Sequence, residues 1–185
     1  LLVPVIMKFN LFKYIKGKFM KKILTILVFM YGLNVAYTKE CISKRISKTG
    51  ESKYTEQYSI ETNITGHKLR IFTLVSAPKS SKKNCDGLKV TESVFWGMSN
   101  YINKNGNVTG NWLTTYDDGS TMYGTFTGTS QTPKDTNQDS ISVGSSVITG
   151  GTGIYTNVKG YGITKTSFNP EKNYSSGEQT LYFTK

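Results

Sequence analysis

NWLTTYDDGSTMYGTFTGT, residues 111–129, is the stretch that decides the fold. Trp112, Thr114 and Tyr116 fall on one side of a two-residue repeat, and Tyr123 alternates with Met122 and Phe126. Between the two runs stands Asp117-Asp118-Gly119-Ser120. Asp and Gly are the residues that tight turns favour, because they accept positive φ or bond their own backbone. Two alternating runs joined by such a turn make a β-hairpin.

The same chemistry extends outward. Asn105-Gly106 predicts a hairpin turn after Tyr101-Ile102. In KVTESVFWGMS (89–99), Val90, Val94, Trp96 and Met98 share a face, with Glu92 among them. In HKLRIFTLVS (67–76), Leu69, Ile71 and Val75 lie on one face, Phe72 and Leu74 on the other. An earlier strand is expected around 54–63. C-terminal to the hairpin, QTPKDTNQDS (131–140) reads as an exposed loop. SVGSSVITGGTG (142–153) and NVKGYGITKTSF (157–168) read as strands, followed by a turn over 169–173 and a last strand through 180–183. Helical periodicity is absent after Ala36. The prediction is an all-β domain, a single antiparallel, calycin-like β-barrel of about eight strands, a number that closes a small barrel and removes its edges.

The first 36 residues have a different composition. Met20-Lys21-Lys22, the apolar run Ile23 to Tyr31, and Gly32-Leu33-Asn34-Val35-Ala36 have the layout of a secretory signal peptide starting at Met20 and cut near Ala36. The apolar run is shorter than the roughly 20 residues that span a bilayer, so no stable membrane insertion is expected after cleavage. Residues 1–19 read as an N-terminal extension, with Leu1, Met7 and Met20 left open as starts. The organisation expected is 1–36 as leader and 37–185 as one domain, secreted or periplasmic. The formal charge of +11 includes six leader lysines; without them seventeen basic residues face twelve acidic ones, a net +5. The remaining charge forms no stripe, and no nucleic-acid partner is expected. Cys41 and Cys85 follow the leader, and an even pair in an oxidising compartment favours a disulfide, free thiols being the alternative. One histidine, His67, and no Cys-x-x-Cys leave no metal site; no cofactor is expected.

Thr149-Gly150-Gly151-Thr152-Gly153-Ile154-Tyr155, then Val158-Lys159-Gly160-Tyr161-Gly162, resembles the Gly-Thr-Gly-x-Phe/Tyr-x-x-Val/Ala-x-Gly-x-Gly signature of allene oxide cyclase-like and dirigent-like barrels. The strand pair from Trp112 to Gly128 is similar to bacterial secreted members of that group. The resemblance covers about residues 88–185. It implies an eight-stranded barrel with a mostly apolar cavity, often oligomeric; the plant enzymes' catalytic residues do not map onto this chain. Physically, Gly150, Gly151 and Gly153 are expected to supply positive φ in a tight connection. Tyr155 is expected to plug a barrel end, and Gly160 and Gly162 to clear one face of a bending strand.

The ligand candidates are Glu92, Trp96, Trp112, Tyr116 and Tyr123. Glu92, placed on an apolar face, would have its pKa raised by desolvation and could act as an acid or base; a bulge that shifts the phase is the alternative. Trp96 and Trp112 serve equally as core aromatics. No catalytic constellation stands out, which favours a non-enzymatic role. The leading expectation is a secreted barrel holding a small apolar molecule. An oligomeric interaction module at the cell surface comes second. A cyclase or isomerase using Glu92 and Tyr116 comes third.

Overall fold

The computed structural model describes residues 40–134, 139–169 and 174–185. Residues 1–39, on which the expected leader falls, the middle of the 131–140 loop and most of the 169–173 turn lie outside the described residues. Nine strands run in one antiparallel sheet: β1 (Cys41–Ser47), β2 (Ser52–Glu61), β3 (His67–Ser76), β4 (Val90–Ile102), β5 (Asn105–Tyr116), β6 (Thr121–Gln131), β7 (Ser140–Gly151), β8 (Lys159–Asn169) and β9 (Tyr174–Thr184). Their order is β1-β9-β8-β7-β6-β5-β4-β3-β2, and one 3-10 turn, Gly153–Tyr155, joins β7 to β8. The strand missing from the sequence reading is β1, CISKRIS. Its inward positions are Ser43, Arg45 and Ser47, while Ile42 and Ile46 face solvent, so its polarity is inverted relative to a normal half-buried strand.

The sheet curls. Residues from β1, β5, β6, β7 and β9 share one buried cluster: Cys41, Trp112, Tyr116, Met122, Ile148, Leu181 and Phe183, with Tyr155 and Val158 from the β7–β8 connection. Laid flat, β1 and β4 would stand roughly 29 Å apart, six strand spacings. Yet Arg45 on β1 donates from Nη1 to Ser93 Oγ on β4 (2.7 Å) and from Nη2 to Ser76 Oγ on β3 (2.9 Å). Following the ladders from Arg45 leads through Gln179, Thr164, Gly144, Gly128 and Val108 to Ser99. The side chain instead meets Ser93, six positions before Ser99. That offset is the stagger of tilted strands wrapped round an axis. The wrap is not closed: among the described residues no ladder joins β1 to β2, and side chains alone bridge the seam. The second bridge is covalent, Cys41–Cys85, from β1 to the β3–β4 loop.

The turns also differ from expectation in one place. The β4–β5 hairpin turns on Asn103 and Lys104, both at positive φ (50° and 66°), with Ile102 paired to Asn105; Asn105-Gly106 begins the next strand. Positive φ at both central residues is what a two-residue loop needs to match strand twist, and asparagine accepts it more readily than most residues. The Asp117–Ser120 turn forms as expected. Gly119 has φ 83° and its N–H bonds Tyr116 O, while Asp118 accepts from Ser120 N and Oγ.

Candidate functional site

Paired residues in antiparallel strands point to the same face, so the ladders define rows across the inner surface. One row runs Cys41, Phe183, Gly160, Ile148, Gly124, Trp112, Phe95, Leu74. Glycine beside a large side chain lets a narrow curl fill without clash. The next row runs Ser43, Leu181, Gly162, Ser146, Phe126, Gly110, Gly97, Phe72. Here too the protein fills its own space: a β-carbon at Gly97 would strike the Phe72 ring, and one at Gly110 would approach the Phe126 ring.

The following rows change character. Gln179, Thr164, Gly144, Gly128, Val108 and Ser99 form the row of Arg45; Gly177, Thr166, Ser142, Ser130, Gly106 and Tyr101 form that of Ser47. Ser142, Gly144, Gly128, Thr164, Thr166 and Gln179 are partly exposed although they face inward. At Gly144 the three atoms nearest a would-be β-carbon are main-chain atoms of Thr127 and Gly128, not a ring. Ser99, Ser130 and Ser146 are buried, and among the described residues none of their hydroxyls has a hydrogen-bond partner. Along the ladders the inward positions thus pass from rows of rings and glycines to rows richer in small and polar side chains.

The opposite end is sealed. Tyr155 is fully buried, and its ring lies 4.8 Å from Tyr116 and 5.8 Å from Phe183. Asn84 in the β3–β4 loop donates from Nδ2 to the Tyr155 hydroxyl (2.6 Å) and accepts from the N–H groups of Asp86 and Leu88. Gly153 has φ 60°, but Gly150 and Gly151 do not take positive φ, contrary to expectation. Gly150 leaves room for the Tyr123 ring, and Gly151 lets Tyr155 and the Thr121 carbonyl close in. Gly160 and Gly162 clear the inner face beside Phe183, Leu181 and Ser146, as expected.

Burial raises the Tyr116 pKa to about 12, against the opposing effect of the Arg45 charge, and burial likewise raises that of Tyr155. A folded-state pKa above the unfolded value of about 10 stabilises the fold fully below that pH and loses the contribution as pH rises. In an absorbance titration at 295 nm, a late tyrosinate step should therefore coincide with loss of the near-ultraviolet circular dichroism. Complete ionisation with the fold intact would contradict this burial.

Of the candidates, Trp112 and Tyr116 point inward and are buried, Trp112 donating from Nε1 to Thr125 O. Glu92, Trp96 and Tyr123 point outward and are exposed. The cause is a bulge: Val90 pairs with Tyr116 but Glu92 with Thr115, so Thr91 is extra and the phase reverses. Val94, Trp96 and Met98 follow Glu92 outward, while Ser93, Phe95 and Gly97 face in. The sheet thus separates Glu92 from Tyr116, and the acid–base pair does not assemble. Cys41, Cys85 and Asp86 lie close together, but the sulfurs are bonded to each other and offer no thiolate to a metal. The residue that sequence reasoning missed is Arg45. Its signal was Ser43-x-Arg45-x-Ser47, a polar two-residue repeat in which a single cation shares the inward phase. Burial lowers its pKa.

Neither a protein-family model nor a curated protein sequence matches this chain.

Proposed function

We propose that the chain is an exported binding protein whose curled sheet works as a barrel and holds a small, largely apolar molecule in a polar-rimmed hollow between its small-residue rows. One observation carries this: two inner rows are filled by the protein's own rings, whereas in the rows beyond them β6 to β8 contribute only small residues, Gly128, Ser130, Ser142, Gly144, Thr164 and Thr166. Space of that kind between an aromatic floor and a few polar groups is how small-molecule sites are built. The bonded cysteines and the signal-like leader support export. The likeness to allene oxide cyclase-like barrels rests on the sequence of residues 149–162, and the all-β antiparallel sheet is compatible with it; its catalytic version has less support, since Glu92 and Tyr116 face opposite ways.

The test is titration with N-phenyl-1-naphthylamine, a neutral dye that fluoresces in apolar sites. Saturable enhancement is expected, and Ser142→Phe, which fills the hollow from β7, should weaken binding about tenfold or more. No saturable binding by the folded protein would overturn the reading, as would unchanged binding by Ser142→Phe.

The outer face supports a second reading, an interaction module. Val147, Tyr161, Tyr182 and Ile42 form a cross-strand row over four strands, with Tyr161 and Tyr182 stacked at 4.9 Å. Val147, Tyr161 and Ile42 are each about half exposed, and contiguous apolar surface of this sort marks contact sites. Sedimentation velocity should show self-association that Tyr161→Ser weakens; a strict monomer at high concentration would count against this reading.

A further inference from the structure

We infer that the ligand of the hollow is an anion, a compact carboxylate, sulfonate or phosphate head on a small apolar body, and that the Arg45 guanidinium is its receptor. The inference rests on the binding reading above and adds the chemical class of the ligand.

Arg45 enters the interior from β1, and among the described residues no carboxylate stands within ion-pair distance of it. Two of its N–H groups go to the neutral hydroxyls of Ser93 and Ser76, and its Nε is buried with no partner among the described residues. Glu51, the nearby acid, accepts from the N–H groups of Lys48 (2.9 Å) and Lys79 (3.1 Å) instead. Glu51 thus acts on the half-buried Arg45 through space but makes no ion pair with it, and a cation held among neutral hydroxyls is costly where an apolar or amide side chain would fill the same space.

Beyond Glu51, the inner rows among the described residues bring no further acid to Arg45. The inward positions of β1 and of β3 to β9 in the rows described include no acidic residue, and Arg70 also faces inward, bonded to Gln57 and lying over the rings of Tyr54 and Phe72. Ser146, buried in the row beside that of Arg45, keeps a hydroxyl without a partner. A planar guanidinium with free N–H groups matches an oxyanion better than any neutral head.

Two dyes with the same anilinonaphthalene body separate the claims: 1-anilinonaphthalene-8-sulfonate carries a negative charge and N-phenyl-1-naphthylamine does not. Binding is measured in about 0.5 M NaCl, which screens the surface lysines. The sulfonate should bind about tenfold tighter than the neutral dye, and Arg45→Gln should bring the ratio of the two affinities to about one. Equal affinities for wild type, or a preference that survives Arg45→Gln, would overturn the anion assignment and leave the apolar hollow standing. Failure of both dyes to bind would overturn the hollow itself, and this inference with it. Should Arg45→Gln not fold, the wild-type ratio decides alone: a sulfonate preference below about twofold overturns the assignment.

Discussion

Replacing Cys41 and Cys85 together with serine should lower the unfolding free energy by about 4 kcal/mol. The bond closes a segment with a sequence separation of 44, and cross-linking a loop of that length removes much of the freedom of the unfolded chain. The folded state has its own reason to suffer. Strand β1 is an edge whose backbone, among the described residues, is laddered to β9 alone, and short edge strands fray readily. The disulfide anchors its first residue to the β3–β4 loop, and Arg45 anchors its middle to β3 and β4. Without the first anchor, the second must hold the seam alone. Urea titrations of the double variant and of the reduced wild type should agree, with a fall in melting temperature of about 10 °C. A loss below about 1 kcal/mol in both would mean that the covalent tie does not restrain β1 in the native fold.

Tyr155→Ala should cost a similar amount, about 4 kcal/mol, because it empties the fully buried site between Tyr116 and Phe183. Tyr155→Phe separates shape from chemistry. The ring stays, but Asn84 Nδ2 loses its acceptor, and leaving a buried donor unpaired costs about 1–2 kcal/mol. Equal losses in the two variants would indicate that the hydroxyl, not the ring, holds the sealed end. Negligible loss in Tyr155→Ala would indicate that the end is not packed as described.

Much of the fold was legible because each hairpin carries its own local signal. The run from Trp112 to Gly128 alternates strictly, and its Asp-Asp-Gly-Ser turn forms where it stands. Strand β1 was not legible, since a strand whose serines and arginine face inward gives no hydrophobic alternation to read. The direction of Glu92 and Trp96 was lost for a different reason. Apolar residues occupy both faces of β4, so the pattern cannot tell inside from outside, and one extra residue at the Thr91 bulge reverses everything after it. The signature glycines were found, but Gly150 and Gly151 serve close approach and only Gly153 serves a positive φ. The proposed hollow depends on which rows carry small residues on several neighbouring strands, a property of strand register that no single strand displays. Arg45 belongs to the same class: its contact with Ser93 joins positions 48 residues apart and exists only once the sheet has curled.

The direct measurement of that curl is a nuclear Overhauser spectrum of the oxidised protein. Contacts from the Arg45 side chain to the β-protons of both Ser76 and Ser93 are the result expected, together with the cross-strand α-proton contacts of the β4–β5 and β8–β9 ladders. Intact ladders with no Arg45 contact to either serine would describe a sheet that stays open, with neither hollow nor receptor inside it.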